Sequence, residues 1–348
     1  MRILFGLASP IVRNNGIMTF VRGIAHILKD MGHTVDFITD ASPSIPIQGW
    51  FDTVFVDTSE VQYPSIIGQD GRPIIRYVPE IQNRISKLYA RLDDYDVVIG
   101  NDAQSTAAFL DQSRTNTKVV HYIHTGSLLG ENRTCLTDSF VAFERELLDY
   151  CIVGAQHQNV LDILGVNNGV VLNMPLFQYE LFLSDPNDEQ SGLMFIGDGT
   201  TAKGADIFER FCAKNNWKAK VIGLECNDVD FSSIDDFEMR SFTPAQVRDK
   251  AGYIRSAKAG FHPSPCDVMP FAIIEQLLSH PVVLDASYPW TKSFADLGAL
   301  VVEKSEIEDA LHTVMGGGYE YDNRLMVDYL KQVVPSWRKF LASTKVTE

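Results

Sequence analysis

Two carboxylates and a lysine carry the strongest chemical signal in this sequence. Asp267 lies in the run His262-Pro263-Ser264-Pro265-Cys266-Asp267-Val268-Met269-Pro270-Phe271, and Glu275 follows eight residues later. The pattern predicts a strand ending at His262, a loop carrying Asp267 and a helix carrying Glu275, so both acids can face one ligand. Glu275 sits among Phe271, Ile273, Ile274, Leu277 and Leu278. A carboxylate in such a helix is costly unless it is hydrogen-bonded, and sugar hydroxyls are suitable donors. As bare spacing, the pair occurs by chance in many chains; its strand–loop–helix setting is what lends it weight.

Lys203 lies near the end of the segment Gly197-Asp198-Gly199-Thr200-Thr201-Ala202-Lys203-Gly204. Gly197 and Gly199 allow close backbone approach, and Thr200 and Thr201 offer hydroxyls. A cation at a helix start opposes the helix dipole unless an anion is bound nearby. A nucleotide diphosphate resolves that conflict, with Lys203 as a point charge on its oxygens; an exposed lysine in solvent is the plain alternative. A second small-residue loop, with Arg13, Asn14 and Asn15, ends in Gly16 at another helix start. Its backbone N–H groups can meet an anion or sugar, although an ordinary strand–helix turn needs glycine as well. It is not G-x-G-x-x-G, so the dinucleotide fingerprint is absent. His124 closes the strand pattern Val119-Val120-His121-Tyr122-Ile123 and is placed to bond a sugar hydroxyl or a phosphate. Between positions 72 and 91 the ionisable residues are Arg72, Arg76, Glu80, Arg84, Lys87 and Arg91, five positive against one negative. They read either as a solvated helix face or as a phosphate-facing acceptor surface.

These residues need a scaffold. The chain has 348 residues, which suits two domains of roughly 150 each. Strand patterns at 2–7, 34–38, 53–56, 97–100, 118–123, 150–153 and 170–172 alternate with helical ones. In the helix over 17–31, Ile17, Phe20, Val21, Ile24, Ile27 and Leu28 share a face, and Gly32 stops it. The polar stretch 183–192 reads as an interdomain linker. Strands at 193–196, 218–222, 259–262, 282–285 and 300–302 follow, with helices over 203–213, 244–257, 270–279 and 306–315. A final helix over 322–341, carrying Trp337, is expected to pack back on the first domain. The fold class is α/β: two Rossmann-like, doubly wound domains facing a cleft, bounded at 1–178 and 179–330, with 331–348 returning to the first. Ligands of such sheets sit beyond the carboxyl ends of the strands.

Composition excludes several classes. Hydrophobic residues make up 45% and charged residues 22%, as in a globular protein. No apolar run reaches the ~18 residues of a membrane span, and no signal-peptide pattern follows Met1, so the cytoplasm is the expected compartment. The five cysteines have no C-x-x-C pair, so neither a disulfide frame nor a metal site is indicated. The net charge of −15 repels nucleic acid and anionic membrane at long range, though a local basic patch can overcome it.

The opening strand, the Gly16 loop, Gly32-His33, His124, the run from Gly197 through Lys203-Gly204, and Asp267 through Glu275 before Pro281-Val282-Val283 together resemble the retaining GT-B glycosyltransferases of family 4. The resemblance spans nearly the whole chain in the same order. It implies that Lys203 grips the donor diphosphate, that Glu275 holds the donor ribose and that Asp267 lies beside the transferred sugar. Asn15 through Phe20, Tyr122 through Ser127, Ile196 through Gly204 and Val221 through Glu225 are further similar to the DNA α-glucosyltransferases of T-even phages, which glucosylate hydroxymethylcytosine.

That resemblance implies a metal-independent hexosyl- or pentosyltransferase with no cofactor. Its co-substrate is a UDP-sugar and its partner is double-stranded hydroxymethylcytosine DNA, with no membrane; a phage-encoded enzyme would work in the bacterial host cytoplasm. Met269, Phe271 and Arg255 join the donor side, and Arg13 and Asn14 join the basic residues of 72–91 on the acceptor side. Three positions depart from the phage pattern. Asp198 stands where an arginine is expected, so Arg255 or Lys258 is asked to substitute. Asp267 replaces a glutamate, and Thr125 replaces the carboxylate after the histidine. Such changes suit another sugar, a pentose for example, or another acceptor. The rivals are a family-4 enzyme acting on a lipid, oligosaccharide or small molecule, a nucleotide-sugar epimerase, and a non-catalytic nucleotide-sugar or DNA-binding module.

Overall fold

The computed structural model describes residues 1–7, 16–39, 47, 49–56, 66–67, 73–74, 92–112, 117–124, 126–129, 138–185, 187–265 and 267–344. The chain divides into two compact units. The first comprises Met1–Leu128, Thr134–Pro175 and Gln332–Glu348; the second comprises Leu129–Arg133 and Leu176–Lys331.

The first unit is built on seven parallel strands: β1 (Arg2–Leu7), β2 (Thr34–Thr39), β3 (Thr53–Val56), β6 (Val97–Gly100), β7 (Lys118–Tyr122), β8 (Ile152–Ala155) and β9 (Gly169–Val171). Two short strands, β4 (Ile66–Ile67) and β5 (Pro73–Ile74), form a separate antiparallel pair. The sheet order is β3-β2-β1-β6-β7-β8-β9. The chain therefore winds outward from β1 in one direction and then from β6 in the other, and these two central strands are neighbours. The crevice of a doubly wound sheet opens at such a reversal.

Helix α1 (Gly16–Asp30) covers the sheet with Met18, Phe20, Val21, Ile24, Ala25 and Leu28 buried along one face. Gly32, at φ +83, ends the run in the left-handed conformation. Helix α2 (Ala103–Gln112) approaches the sheet so closely that a Cβ at Gly100 would meet Thr106 Oγ1 at 2.1 Å. Only glycine fits beneath that helix. Helices α3 (Asp138–Leu147) and α4 (Gln158–Leu164) flank β8 in the chain.

The second unit holds six parallel strands: β10 (Leu193–Gly199), β11 (Ala219–Asn227), β12 (Phe237–Arg240), β13 (Ala259–Phe261), β14 (Val282–Asp285) and β15 (Leu300–Val302). Their order is β12-β11-β10-β13-β14-β15, with the reversal between β10 and β13. The core gathers Leu193, Phe195, Phe208, Val221, Phe261, Val283 and Leu311. Strand β12 is an addition to the expected set. Its residues alternate apolar and charged, as suits an edge strand.

The last helix is not one but two, Arg324–Lys331 and Val333–Thr344. Pro335 causes the break. It has no N–H to give the carbonyl of Lys331, and its ring would clash there, but it is tolerated in the first turn of a new helix. The second of these helices belongs to the first unit: Trp337 is fully buried, and its indole N–H donates to Asn173 O at 3.2 Å. Among the described residues, no helix is long and apolar enough to cross a membrane.

Candidate functional site

In the second unit, β10 runs into a tight turn (Thr201–Lys203) and then helix α5 (Ala205–Asn215). Gly204 makes this junction possible. Its φ is +74, and a Cβ there would meet Pro263 O at 2.3 Å, so both backbone conformation and space require glycine. The turn is thereby pressed against the segment that leaves β13, the other central strand. Lys203 Nζ donates to Asp267 Oδ1 at 2.9 Å, and His262 Nε2 lies 3.3 Å from Asp267 Oδ2. Burial works against ionising Asp267, but the Lys203 ammonium, His262 and the Ser264 hydroxyl outweigh it. They hold the carboxyl well below the usual carboxylate range.

Both oxygens of Asp267 are thus engaged. The His262 ring is buried, stacks on Phe195 at 6.0 Å and meets Trp290 edge-on at 6.1 Å. Its Nδ1 has no hydrogen-bond partner among the described residues, and neither does Oγ1 of the buried Thr200. Buried polar atoms of this kind ask for a ligand or water.

The backbone of the turn is largely self-satisfied. Thr200 N–H donates to Asp198 O at 2.7 Å, Thr201 N–H to Asp228 Oδ1 at 3.1 Å and Lys203 N–H to Thr200 O at 3.0 Å. Gly199 O receives the Asp228 and Val229 amides. The amides of Thr200, Thr201 and Lys203 are therefore engaged within the turn, and the Lys203 side chain supplies the charge available to an anion. The Thr201 side chain is exposed and that of Thr200 is buried; Gly197 lies within β10, beside the Phe195 ring.

Glu275 falls on the short helix α7 (Phe271–Gln276) and is buried. Lys250, on helix α6 (Val247–Arg255), donates to its Oε1 at 2.6 Å. Glu275 Oε2 has no partner among the described residues. The helix thus holds a carboxylate with one oxygen paired to Lys250 and the other buried without a partner among the described residues. Met269 is buried and accepts a contact from the Tyr329 hydroxyl at 3.5 Å, and Phe271 is half-buried.

Arg255 does not fit the donor role assigned to it. It ends α6, beside the start of β10: Ser191 N–H reaches Ser256 O, and Lys258 N–H reaches Gly192 O. This is the amino edge of the sheet, opposite the turn at 201–203, and Lys258 shares it. The Arg255 guanidinium is committed to Asp188 Oδ2 at 2.8 Å and to Leu181 O at 2.5 Å.

His124 belongs to the first unit, just past β7 and next to the reversal between β1 and β6. Its Nε2 lies 3.2 Å from Asn101 Oδ1, and its ring packs against Phe20 and Tyr122, each at 5.0 Å. Desolvation pulls its pKa down to about 3, and the neighbouring His121 adds to the effect. Gly16 opens α1, and the loop before it lies outside the described residues. So do Arg13, Asn14, Arg72, Arg76, Arg84, Lys87 and Arg91, the whole expected acceptor surface, as well as Thr125.

Sequence reasoning missed Lys250, and it gave no role to His262 or Asn101. A histidine or asparagine at the carboxyl end of a central strand was a usable signal for the latter two.

Solved structures share the fold. Sucrose-phosphate synthase from Thermosynechococcus elongatus superposes with a TM-score of 0.72 at 13% identity, covering 98% of this chain and 99% of that one. TarM gives 0.70 at 11% identity and 99% coverage of both chains. An α-glucosyltransferase in complex with UDP and a 13-mer DNA containing a HMU base gives 0.60 at 12% identity, again covering 99% of both. The fold is GT-B. In sequence, no family model and no curated protein matches the chain. The GT-B likeness, at these identities, establishes architecture; the chemistry has to be argued from the side chains.

Proposed function

We propose that this chain is a retaining, metal-independent glycosyltransferase that uses a UDP-sugar and transfers the sugar to hydroxymethylcytosine in duplex DNA. Two lysine–carboxylate contacts in the second unit, Lys203 on Asp267 and Lys250 on Glu275, support the donor side. Lys203 on Asp267 supplies a cation for a diphosphate. Glu275, neutralised on one oxygen by Lys250, leaves its buried Oε2 for a ribose hydroxyl.

UDP is present in the α-glucosyltransferase complex named above, which supports the same nucleotide here. The DNA acceptor rests on the sequence stretches 15–20, 122–127, 196–204 and 221–225, and on that neighbour's DNA complex. A lipid, oligosaccharide or small-molecule acceptor is the second reading, since TarM and sucrose-phosphate synthase have the same architecture at higher TM-scores.

In the mechanism, the bond between the sugar's anomeric carbon and the β-phosphate oxygen breaks. The departing electron pair stays on the diphosphate, stabilised by Lys203. The acceptor hydroxyl attacks the same face of the sugar, and its proton passes to the leaving phosphate oxygen, so no separate protein base is needed. Positioning and charge stabilisation are the protein's contributions. A modified base in a duplex would first be flipped out of the stack.

The test incubates the protein with a panel of UDP-sugars and hydroxymethylcytosine DNA and weighs the released nucleosides by mass spectrometry. A mass increase of one hexose or pentose is expected. Unchanged nucleosides together with donor turnover on another acceptor would remove the DNA assignment. The absence of any donor turnover, with or without acceptor, would remove the enzymatic one. Glu275→Gln should abolish most transfer while the protein stays folded.

A further inference from the structure

Asn101 follows directly on β6, and its side-chain amide is oriented without ambiguity. Nδ2 lies 3.1 Å from Gly6 O and 3.4 Å from Ile99 O. Both neighbours are carbonyls, which only accept, so the NH₂ group must face them. A flipped amide would set oxygen against oxygen. Oδ1 therefore points the other way, at His124 Nε2, 3.2 Å off. An amide oxygen can only accept, so Nε2 must carry the hydrogen. In a neutral imidazole the remaining nitrogen, Nδ1, is then an acceptor.

Among the described residues Nδ1 has no partner, and the ring is half-buried rather than enclosed. Among the described residues, the titratable groups beside the ring are His121 and Tyr122, both from β7. The Tyr122 hydroxyl is given to Leu172 O at 2.8 Å. The His121 ring is held between Thr106 Oγ1 at 2.7 Å and Glu144 Oε1 at 3.0 Å, all three residues being buried. No carboxylate among the described residues bonds to His124 itself, so nothing there pairs with a charged ring, and burial keeps it neutral at pH 7.

We infer that Asn101 is a positioning residue that locks His124 as the Nε2–H tautomer, so that Nδ1 presents an acceptor for a ligand hydroxyl and cannot donate to a phosphate. The expectation that His124 meets either a sugar hydroxyl or a phosphate thereby narrows to the hydroxyl. Identifying that hydroxyl as a sugar's rests on the transferase reading; the tautomer lock does not.

The experiment is nitrogen NMR on protein selectively labelled at histidine. In the ligand-free wild type, His124 should show a hydrogen-bearing Nε2 and a bare Nδ1, with no titration between pH 5 and 8. A hydrogen-bearing Nδ1, or a ring that titrates in that range, would overturn the inference. In Asn101→Ala the lock is gone, and the two nitrogen shifts should move toward each other as both tautomers populate. Unchanged shifts in a variant that keeps its circular dichroism would also overturn it.

UDP-glucose and UDP are then the ligand probes. UDP-glucose should move the Nδ1 resonance and UDP alone should not. Movement by UDP alone, or none with UDP-glucose bound, would defeat the hydroxyl assignment. Failure of both UDP-glucose and UDP to bind would count against the transferase reading while the tautomer result stands by itself.

Discussion

Replacing Lys203 by methionine is the most direct probe of the donor side, and its size can be worked from the geometry. In the unliganded protein the ammonium rests 2.9 Å from Asp267 Oδ1, with the two side chains 32% and 16% exposed. If it moves onto a bound diphosphate, the variant loses a hydrogen bond to a charged group, about 2 kcal/mol. A second cost follows, because Asp267 keeps its charge and now faces the phosphate without its cation. At ~6 Å, with an effective dielectric of ~40 for a partly exposed group, this repulsion is about 1.4 kcal/mol. The sum of roughly 3 kcal/mol is about two decades in affinity for UDP. Titration calorimetry with UDP measures it. Asp267→Asn alone should change affinity by less than about threefold, because it removes both the resting partner and the repulsion. The double variant should recover the repulsive part and lose only about 30-fold, a coupling of about 1 kcal/mol or slightly more. A Lys203→Met protein that binds UDP within threefold of wild type, or two substitutions that simply add, would refute this account of the pair.

Other outcomes follow from the same structure. Gly204→Ala should destabilise the second unit by roughly 2 kcal/mol or more, since it adds a left-handed alanine to a Cβ contact at 2.3 Å with Pro263 O; an unchanged urea midpoint would contradict it. His124 and His280 are each held down to about pKa 3, by burial first and then by a neighbouring basic group, His121 and Lys220 respectively. Below their unfolded value of about 6.5 the unfolded chain binds protons that the native one does not, so stability should fall as pH drops from 6.5 toward 3 and stay level above 6.5. Urea midpoints from pH 8 to 4 check this, and a flat profile through pH 4.5 would show that the two rings are not held neutral. Replacing Arg84, Lys87 and Arg91 by alanine should lower the slope of log affinity for DNA against log salt by roughly 2 to 3; an unchanged slope removes that segment from the DNA contact.

The scaffold was legible because parallel strands covered on both faces are continuous apolar runs. Ile3-Leu4-Phe5 and Val282-Val283-Leu284 are fully buried and unmistakable in sequence. Strand β12 escaped because Phe237-Glu238-Met239-Arg240 places a charged residue at every second position, so no apolar run marks it although its alternation is regular. The split after Lys331 was legible in principle from Pro335. It was overlooked because the apolar period continues through the break. The carboxylates and Lys203 stood out by their setting, each an expensive residue at a strand end or in an apolar helix. Lys250 did not, because it lies in the charged run Arg248-Asp249-Lys250, where nothing local distinguishes it. Its meaning comes from Glu275, 25 residues away and met only through packing. Arg255 was misassigned although its place at the end of the helix over 244–257, just before a strand, already set it at the amino edge of the sheet.

The resting partners also reconcile a molecule of net charge −15 with an anionic ligand. A cluster of bare cations would draw a diphosphate from afar, but the protein's overall field opposes that approach. Here each lysine at the candidate donor site already has a carboxylate within 3 Å, Lys203 on Asp267 and Lys250 on Glu275. Binding is therefore an exchange of partners rather than a neutralisation of free charge. Lys203 can move from Asp267 to phosphate, while Glu275 keeps Lys250 and gains a hydroxyl on its open oxygen. Such an exchange changes few net ion contacts, so nucleotide affinity should depend only weakly on salt. The steep salt dependence expected of DNA binding must then come from the acceptor-side cations, Arg13 and the basic residues of 72–91. Measured on one protein, the two salt slopes should differ by a factor of two or more. Equal slopes would mean that Lys203 is not paired in solution, and the exchange argument would fail at its first step.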